Sequence, residues 1–315
     1  MFQNIIAIVC GVVLLYKGGE WLCRGGVSLA EKFKIPRVII GVTLVSFVTS
    51  APELAVVLNA NQSQLSTLAL SNIIGSNISN VGLILGVLIV GMSISLKSEI
   101  QNLWMVMVTV SVIFAGLLLY NGNLVRVEGI ILCGLAFVTI YYLVKHQTSV
   151  VGIESTQVVS IKNNYKIIGL VIVSGICLWL GSEVLVKAVN TISIDLGISQ
   201  RIMGLSVVAI STSLPELAAS LVALSKKEAG ISIGNIFGSN IFNLLVVMGL
   251  ASTISEFAIP NEDRIDFLRD VIFMVGLSLM LYPLLFWVGK KLTLGRLEGS
   301  ILLIFYFGYF YFILK

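Results

Sequence analysis

The chain has 315 residues, of which 57% are hydrophobic and 11% are charged. Soluble domains carry about 25% charged residues, so this composition excludes a soluble protein and indicates an integral membrane protein embedded in a lipid bilayer. The net charge of +4 is spread along the chain, and no basic cluster with interleaved aromatic residues occurs, so we expect no nucleic-acid partner.

Ten apolar runs follow one another along the chain, and each is long enough to cross a bilayer as a helix. The first five are Phe2–Leu22, Val38–Ala60, Leu65–Val90, Leu103–Leu119 and Val125–Val144. The other five are Tyr165–Val186, Ile202–Leu224, Ile231–Thr253, Phe267–Trp287 and Leu297–Leu314. We therefore predict an all-α membrane protein with a five-helix unit over 1–144, a polar connector over 145–164 and a second five-helix unit over 165–315.

Two stretches of the chain match each other at an offset of 163 residues without a gap. Ser46–Asn80 and Ala209–Asn243 share 15 identical residues in 35 positions. The identities are mostly polar residues, Gly and Pro, including a Pro-Glu pair and a Gly-Ser-Asn triplet. Shared hydrophobicity does not explain such matches, so the two five-helix units are predicted to be repeats of each other.

An odd number of helices in the first unit makes the second unit begin on the opposite face of the membrane. The units are then inverted repeats, an arrangement found in many transporters. Loops on the connector's side of the membrane carry thirteen Lys and Arg residues, whereas the opposite side carries six. Because cytoplasmic loops are enriched in basic residues, we predict a cytoplasmic connector and both termini outside.

Glu53 and Glu216 lie at equivalent repeat positions in the middle of apolar spans. A carboxylate at that depth costs at least a few kcal/mol, and such residues usually face a cavity or an ion path. Pro52 and Pro215 precede them, and each proline leaves the carbonyl four residues earlier without its helical partner. The sequence therefore predicts two broken helices whose carbonyls and carboxylates line a cavity.

Further oxygen-bearing residues share helix faces with these carboxylates. Thr49 and Ser46 lie four and seven residues before Glu53 on its face, and Thr212 and Ala209 are their repeat equivalents. On the neighbouring predicted helices, the residues four apart on one face are Ser76 with Asn80 and Ser239 with Asn243. For Ser50, Ser213, Asn72 and Asn235, helix packing and direct binding remain equally open.

The pooled ligands are all oxygens, which suits a hard cation such as Ca2+ or Na+ and offers no soft or imidazole ligand. Two carboxylates balance one divalent ion, and the same cage can hold several Na+ by using its neutral oxygens. The predicted chemistry is ion exchange, with Ca2+ and Na+ as transported ions and no cofactor.

At these residues the sequence resembles the Ca2+/cation antiporter superfamily, specifically its prokaryotic sodium/calcium exchanger branch. The two repeats of that branch carry Gly-Thr-Ser-x-Pro-Glu followed by Gly-Asn-x-x-Gly-Ser-Asn, and the likeness covers essentially the whole chain. Val48, Ser211 and Ser71 replace three motif glycines. The resemblance implies ten helices in inverted repeats with outside termini, in which the first and sixth helices slide to alternate access.

Carried over position by position, the resemblance implies a cluster of four cation sites. Thr49, Glu53, Thr212 and Glu216 would hold Ca2+. The same four residues, with Ser76, Ser239 and the backbone carbonyls of Ser46 and Ala209, would hold Na+, and Asn80 and Asn243 would flank the central position. The implied protein is a multi-pass Na+/Ca2+ antiporter of the cell membrane, electrogenic and working as a monomer. Asn243 stands where K+-dependent relatives carry Asp, which argues against K+ co-transport.

Three other functions compete with this prediction. A Ca2+/H+ antiporter of the same superfamily is the nearest, because two buried Glu residues could exchange protons, although its Gly-Asn-Ala-x-Glu motif is missing. An intramembrane protease needs catalytic motifs that the chain lacks, since its one histidine, His146, lies in the polar connector. A cation channel has no need of inverted halves.

Overall fold

The computed structural model describes residues 2–63, 65–95, 98–146, 158–195, 200–259, 264–284 and 293–314, and within these ranges the side chains of residues 2, 94–95, 98–100, 119–121, 190, 193–195, 200–211 and 314 are not described. Helices occupy all ten of the segments predicted to span the membrane. The first unit contains α1 (Phe2–Phe33), α2 (Arg37–Ile40), a π-helical segment (Gly41–Val45), α3 (Ser46–Thr49), α4 (Ala51–Gln62), α5 (Ser66–Ser79), a second π-helical segment (Asn80–Leu85), α6 (Gly86–Gly91), β1 (Ile94–Ser95), α7 (Ser98–Asn121), β2 (Asn123–Leu124) and α8 (Arg126–His146).

The second unit repeats this order with fewer interruptions. It contains α9 (Asn164–Asp195), α10 (Gln200–Ser225), α11 (Ala229–Phe242), a third π-helical segment (Asn243–Val247), α12 (Met248–Ile254), β3 (Phe257–Ala258), α13 (Arg264–Pro283), β4 (Thr293–Leu294) and α14 (Arg296–Leu314).

Seven helical spans in the described ranges are long and apolar enough to cross a membrane, or eight if the bent run from Arg37 to Gln62 counts as one span. α13 is not among these spans, because the charged residues Asp266, Arg269 and Asp270 lie in its first two turns. A multi-pass membrane protein is therefore confirmed, whereas the number of ten spans stays a prediction.

The central helices are those that carry the repeated Gly-Ser-Asn triplet. The span from Ser66 to Gly91 is 78% buried in its most apolar window, and the span from Ala229 to Ile254 is 89% buried. The spans of α1 and α9 are only 28% and 33% buried. Two inner helices are thus wrapped by the others, and α1 and α9 lie at the periphery.

α1 and α9 pack on each other along their length. A methyl group added at Gly11 would meet the Gly181 carbonyl at 2.9 Å, and one added at Gly18 would meet Leu178 at 2.9 Å. The contact moves backward along α9 as it moves forward along α1, so the two helices are antiparallel. Each has 32 residues, about 48 Å of helix, which exceeds the predicted spans because both continue past the apolar core.

Two short antiparallel strand pairs connect the units. β1, between the third and fourth predicted spans of the first unit, pairs with β4, between the fourth and fifth of the second unit. β2, between the fourth and fifth spans of the first unit, pairs with β3, between the third and fourth of the second. Each pair therefore joins non-equivalent loops of the two units.

Asn61 fastens the end of α4 to the end of α12. Its side chain is buried, and its Nδ2 donates to the Ala251 carbonyl at 3.1 Å and to the Ser255 carbonyl at 2.6 Å. The Ala251 carbonyl also accepts the Ser255 N–H at 3.0 Å. Carbonyls at a helix C-terminus otherwise lack intrahelical partners, so the Asn61 amide completes the hydrogen bonding at the end of α12.

We expect Asn61→Ala to lower the free energy of unfolding by about 1–3 kcal/mol, because the Ser255 carbonyl loses the Asn61 donor and the Ala251 carbonyl keeps only the Ser255 N–H. Thermal unfolding of the purified protein in detergent measures the effect. Asn59→Ala is the matched control, since Asn59 is exposed on the same helix and its replacement should leave the melting temperature nearly unchanged. Equal melting temperatures for the two variants would contradict the proposed role of Asn61.

Candidate cation-binding site

The first Pro-Glu copy lies at a break in its helix. α3 ends at Thr49, Ser50 has φ −89° and ψ 7°, and α4 begins at Ala51. The axis bends by 47° between the two helical runs. Pro52 occupies the first turn of α4, where a missing N–H does no harm. The break predicted at Pro52 is therefore confirmed, and it places Glu53 at the start of a new helix.

The second copy differs from the first. Pro215 lies inside α10, which continues from Gln200 to Ser225. The predicted break is wrong here, because a proline removes one hydrogen bond of the helix but its neighbours can hold the axis together when packing favours it. Equivalent sequences thus adopt a broken helix in one unit and a continuous helix in the other.

The two inner helices each change to π-helix at the same repeat position. Asn80 opens the segment Asn80–Leu85, and Asn243 opens the segment Asn243–Val247. Single turns of π-helix occur frequently at functional sites. The sequence did not predict these turns, and they place both central asparagines at a local widening of the helix.

Both carboxylates are completely buried and accept a serine hydroxyl. Ser76 Oγ donates to Glu53 Oε1 at 3.3 Å, and Ser50 Oγ donates to Glu216 Oε1 at 3.0 Å. Ser76, which contacts Glu53, also lies 3.3 Å from Ser213 Oγ, three residues before Glu216. The structure therefore brings together the two acids predicted from the repeat.

The threonine contacts follow the symmetry of the repeat. Thr49 Oγ1 donates to Asn235 Oδ1 at 3.0 Å, and Thr212 Oγ1 donates to Asn72 Oδ1 at 3.3 Å. Both members of the second bond are offset by 163 from those of the first. Ser239 Oγ lies 3.5 Å from Thr49 Oγ1. Asn72 and Asn235 therefore support the threonines.

The central asparagines also bond across the repeat. Asn80 Nδ2 donates to Asn240 Oδ1 at 2.9 Å, and Asn243 Nδ2 donates to Asn77 Oδ1 at 3.4 Å. Asn243 Nδ2 additionally donates to Ser76 Oγ at 3.3 Å. Asn77 and Asn240 were missing from the predicted site, although their place in the repeated Gly-Ser-Asn triplet was a usable signal.

The two residues predicted to act through backbone carbonyls are placed unequally. The Ser46 hydroxyl donates to the Val42 carbonyl. The Ser46 carbonyl accepts the Ser50 N–H at 2.9 Å and the Thr49 hydroxyl at 3.4 Å. Ala209 lies on α10 three residues before Thr212, and its side chain is outside the part that the structure describes.

Four oxygens of the predicted site have no hydrogen-bond partner among the described residues. They are Glu53 Oε2, Glu216 Oε2, Asn80 Oδ1 and Asn243 Oδ1. Two further atoms share this property: Asn61 Oδ1 lies at the far end of α4, and Asn72 Nδ2 is a donor. Buried polar atoms are nearly always paired, and carboxylate and amide oxygens are the ligands that hard cations take. The donor set therefore fits Ca2+ or Na+.

Side chains from both units complete the cluster. Ser50 of the first unit contacts Glu216 of the second, and Ser76 Oγ lies 3.3 Å from Ser213 Oγ. Thr49 reaches Asn235 in the same way. We call the ten residues predicted from the sequence the candidate cage. They are Ser46, Thr49, Glu53, Ser76, Asn80, Ala209, Thr212, Glu216, Ser239 and Asn243. Neither unit contains the whole cage.

A multi-pass helical bundle with a buried cluster of oxygen ligands is typical of a secondary ion transporter. The chain belongs to the sodium/calcium exchanger protein family, which it matches over residues 3–145 and 166–315. As in its prokaryotic relatives, the location is the cell membrane.

Relatives and solved structures agree with this family. Inner membrane protein YrbG of Escherichia coli (strain K12) is 33% identical over 89% of this chain and 87% of its own length. Sodium/calcium exchanger MaX1 of Methanosarcina acetivorans is 27% identical over 96% of both chains. The solved structure of the sodium-calcium exchanger NCX_Mj superposes with a TM-score of 0.82 at 26% identity, covering 99% of this chain and 98% of that chain.

Proposed function

We propose that this protein exchanges Na+ for Ca2+ across the membrane by alternating access. The observation that carries the proposal is the set of four unpaired acceptor oxygens at the predicted cage, two of them carboxylate oxygens. Buried acceptors that face no donor are stabilised by a cation. MaX1 and NCX_Mj are sodium/calcium exchangers, which favours the same ions here.

In this proposal Thr49, Glu53, Thr212 and Glu216 hold Ca2+, since two carboxylates neutralise one divalent ion. Na+ uses the same four residues together with neutral oxygens, which are the side chains of Ser76 and Ser239 and the carbonyls of Ser46 and Ala209. Asn80 and Asn243 flank the central position. More than two Na+ can then replace one Ca2+, which makes the exchange electrogenic.

We further propose ten spans in two inverted units, 1–144 and 165–315, joined by a cytoplasmic connector over 145–164 with both termini outside. Two units of the same orientation would put β1 and β4 on opposite faces of the membrane, because they follow the third and fourth spans of their units. Their pairing, with that of β2 and β3, supports inversion. The antiparallel contact of α1 and α9 supports it independently. The cage needs one chain alone, so we propose a monomer.

Ca2+/H+ antiport is the second candidate, and one observation favours it. Glu53 and Glu216 are completely buried in one cluster, so protons could replace Ca2+ at the two carboxylates. The neutral oxygens that we assign to Na+ alone, those of Ser76 and Ser239 and the carbonyls of Ser46 and Ala209, would have no role in that exchange, which is why we prefer Na+.

Ion flux into proteoliposomes tests the proposal. Vesicles containing the purified protein are loaded with Na+ and diluted into Na+-free buffer with labelled Ca2+, and we expect rapid uptake. A parallel sample carries a pH gradient and no Na+. Equal uptake in the second sample would overturn Na+ coupling in favour of H+. A valinomycin-clamped membrane potential that fails to alter the Na+-driven uptake would contradict the electrogenic stoichiometry.

Substitutions of two equivalent serines test whether the two carboxylates differ in their hydrogen-bond partners. Ser50 donates to Glu216, whereas its repeat equivalent Ser213 contacts Ser76. Because hydrogen bonds to charged groups are stronger than neutral ones, we expect Ser50→Ala to change the apparent Ca2+ affinity about fivefold and Ser213→Ala less than about twofold. Uptake measured over a range of Ca2+ concentrations compares them. Equal shifts would show that the hydroxyl of Ser50 has no special role.

A further inference from the structure

On one side of the bundle, the backbone of α11 packs directly against the backbone of α2 and of the π-helical segment that follows α2 (Gly41–Val45). We call this contact, formed by residues 37–46 and 228–238, the α2–α11 seam. Three glycines four residues apart, Gly230, Gly234 and Gly238, line it on the α11 side. It runs from the ends of both helices to Ser46, which belongs to the candidate cage.

The seam has no room for side chains on these glycines. A methyl group added at Gly234 would lie 2.5 Å from the Val38 carbonyl oxygen, and one added at Gly238 would lie 2.5 Å from Val42 Cα. On the opposite wall, a methyl group at Gly41 would lie 2.6 Å from the Ile231 carbonyl oxygen. The two backbones are therefore in direct contact along the whole seam.

An ion pair joins α2 and α11 at their N-termini, where this seam begins. Arg37 Nη1 lies 2.7 Å from both carboxylate oxygens of Glu228, whose side chain has no exposed surface. Glu228 also immediately precedes α11, where a negative charge is favoured by the helix dipole. Removing one partner of such a pair leaves an uncompensated buried charge, so the pair strongly favours the closed seam.

The repeat equivalent of this seam lacks the ion pair and two of the three glycines, and it keeps Gly75 in place of Gly238. Residues offset by 163 from Arg37 and Glu228 are Gln200 and Leu65, which cannot form an ion pair. Thr67 and Ser71 stand in place of Gly230 and Gly234. A side chain at the position of Gly234 would place its Cβ 2.5 Å from the Val38 carbonyl oxygen, so with Ser71 at the equivalent position the equivalent seam cannot close in the same way.

We propose that the α2–α11 seam is the stronger of the two closures, so that the resting protein favours the conformation open on the opposite side of the membrane. This inference rests on the alternating access proposed above, and the loop charges make the favoured opening extracellular. Two closures of equal strength would leave the two conformations equally populated. An ion pair present in only one of them shifts that equilibrium by its differential stability.

Cys23 provides a natural reporter of the seam. It is buried in the same apolar cluster as Ile40 of α2 and Ile231 of α11. In a protein whose other cysteines, Cys10, Cys133 and Cys177, are replaced by Ala, a membrane-impermeant methanethiosulfonate reagent reacts with Cys23 only when the seam opens. Labelling of the purified full chain in detergent gives the rate.

We expect Glu228→Gln to raise the labelling rate of Cys23 by about tenfold or more, because Arg37, whose side chain is 20% exposed, loses its nearer charge partner. Arg37→Lys keeps the charge and should stay within about threefold of the parent. Glu31→Gln is the matched control, since Glu31 lies 3.6 Å from Arg37 Nη2 and its side chain is 42% exposed. Its rate should not change.

Ser71→Gly tests the same inference from the other seam and does not disturb the core, because Ser71 is exposed. Restoring the glycine should strengthen the weaker closure and raise Cys23 labelling by about threefold. If Glu228→Gln does not yield monodisperse protein, Ser71→Gly alone tests the proposal. Unchanged labelling in the folded Glu228→Gln protein, or in Ser71→Gly when it alone is tested, overturns the proposal. Labelling needs no ion gradient, so a failure of Na+ coupling would be seen in the flux assay and not here.

Discussion

Proteoliposomes containing Glu53→Gln or Glu216→Gln protein are expected to take up Ca2+ at least about a hundredfold more slowly than those with the parent protein, because the affinity of oxygen sites for Ca2+ depends on the number of charged ligands. Each substitution keeps the size of the side chain and removes one of two balancing charges. Glutamine also introduces an NH2 group at the cage, where a donor repels a cation. The loss should be similar for the two variants, since both carboxylates are completely buried in one cluster.

Glu298→Gln is the matched control for these variants. Glu298 is also buried, and its Oε2 accepts the Gly295 N–H at 2.7 Å at the start of α14, outside the candidate cage. The same chemical change there should leave the Ca2+ uptake rate within about twofold, since only a helix-end contact changes. Size-exclusion profiles establish that all three variants fold and insert. Near-normal Ca2+ flux in Glu53→Gln or Glu216→Gln would remove the carboxylates from the proposed site.

Much of the candidate site was predictable because the repeat marks polar residues. Thr49 with Asn235 and Thr212 with Asn72 are joined by equivalent hydrogen bonds. Residues that are equivalent in the repeat therefore also make equivalent contacts in the structure. The positions of the ten helical segments, although not the ends of α1 and α9, were predictable for a simpler reason, since apolar runs of this length form helices in a bilayer.

Departures from symmetry were not predictable from the same pattern. Pro52 and Pro215 share the motif Thr-Ser-x-Pro-Glu, yet one helix is broken at Ser50 and the other continues. The choice depends on tertiary packing, which a local motif does not encode. The π turns beginning at Asn80 and Asn243 were missed because insertion of one residue per turn leaves no signature in hydrophobic periodicity.

The two carboxylates consequently have unlike surroundings. Glu53 accepts Ser76 from its own unit, whereas Glu216 accepts Ser50 from the other unit. Ser50 is the residue at which the first helix breaks, so the break itself delivers the hydroxyl to Glu216. The conformation of the first Pro-Glu copy therefore determines whether the carboxylate of the second copy has its serine hydrogen-bond donor.

Pro52→Ala is therefore expected to reduce Ca2+ exchange by about tenfold, since an alanine restores an N–H that can bond the Val48 carbonyl, and proline is about 3 kcal/mol less favourable than alanine in a helix interior. A continuous helix through residue 50 would withdraw the Ser50 hydroxyl from Glu216 and move Thr49 relative to Glu53. The apparent Ca2+ affinity measured from uptake should fall together with the rate. Ser50→Ala, which removes the hydroxyl alone, should reproduce only part of that loss.

Pro215→Ala is the comparison that isolates the break. α10 is already continuous through Pro215, so the restored N–H should repair one hydrogen bond without moving the helix axis, and exchange should change less than about threefold. Equal losses in the two proline variants would mean that a free carbonyl, rather than the 47° bend, matters at both positions. A large loss only at Pro52 would assign the effect to the bend, because the two substitutions are otherwise chemically identical.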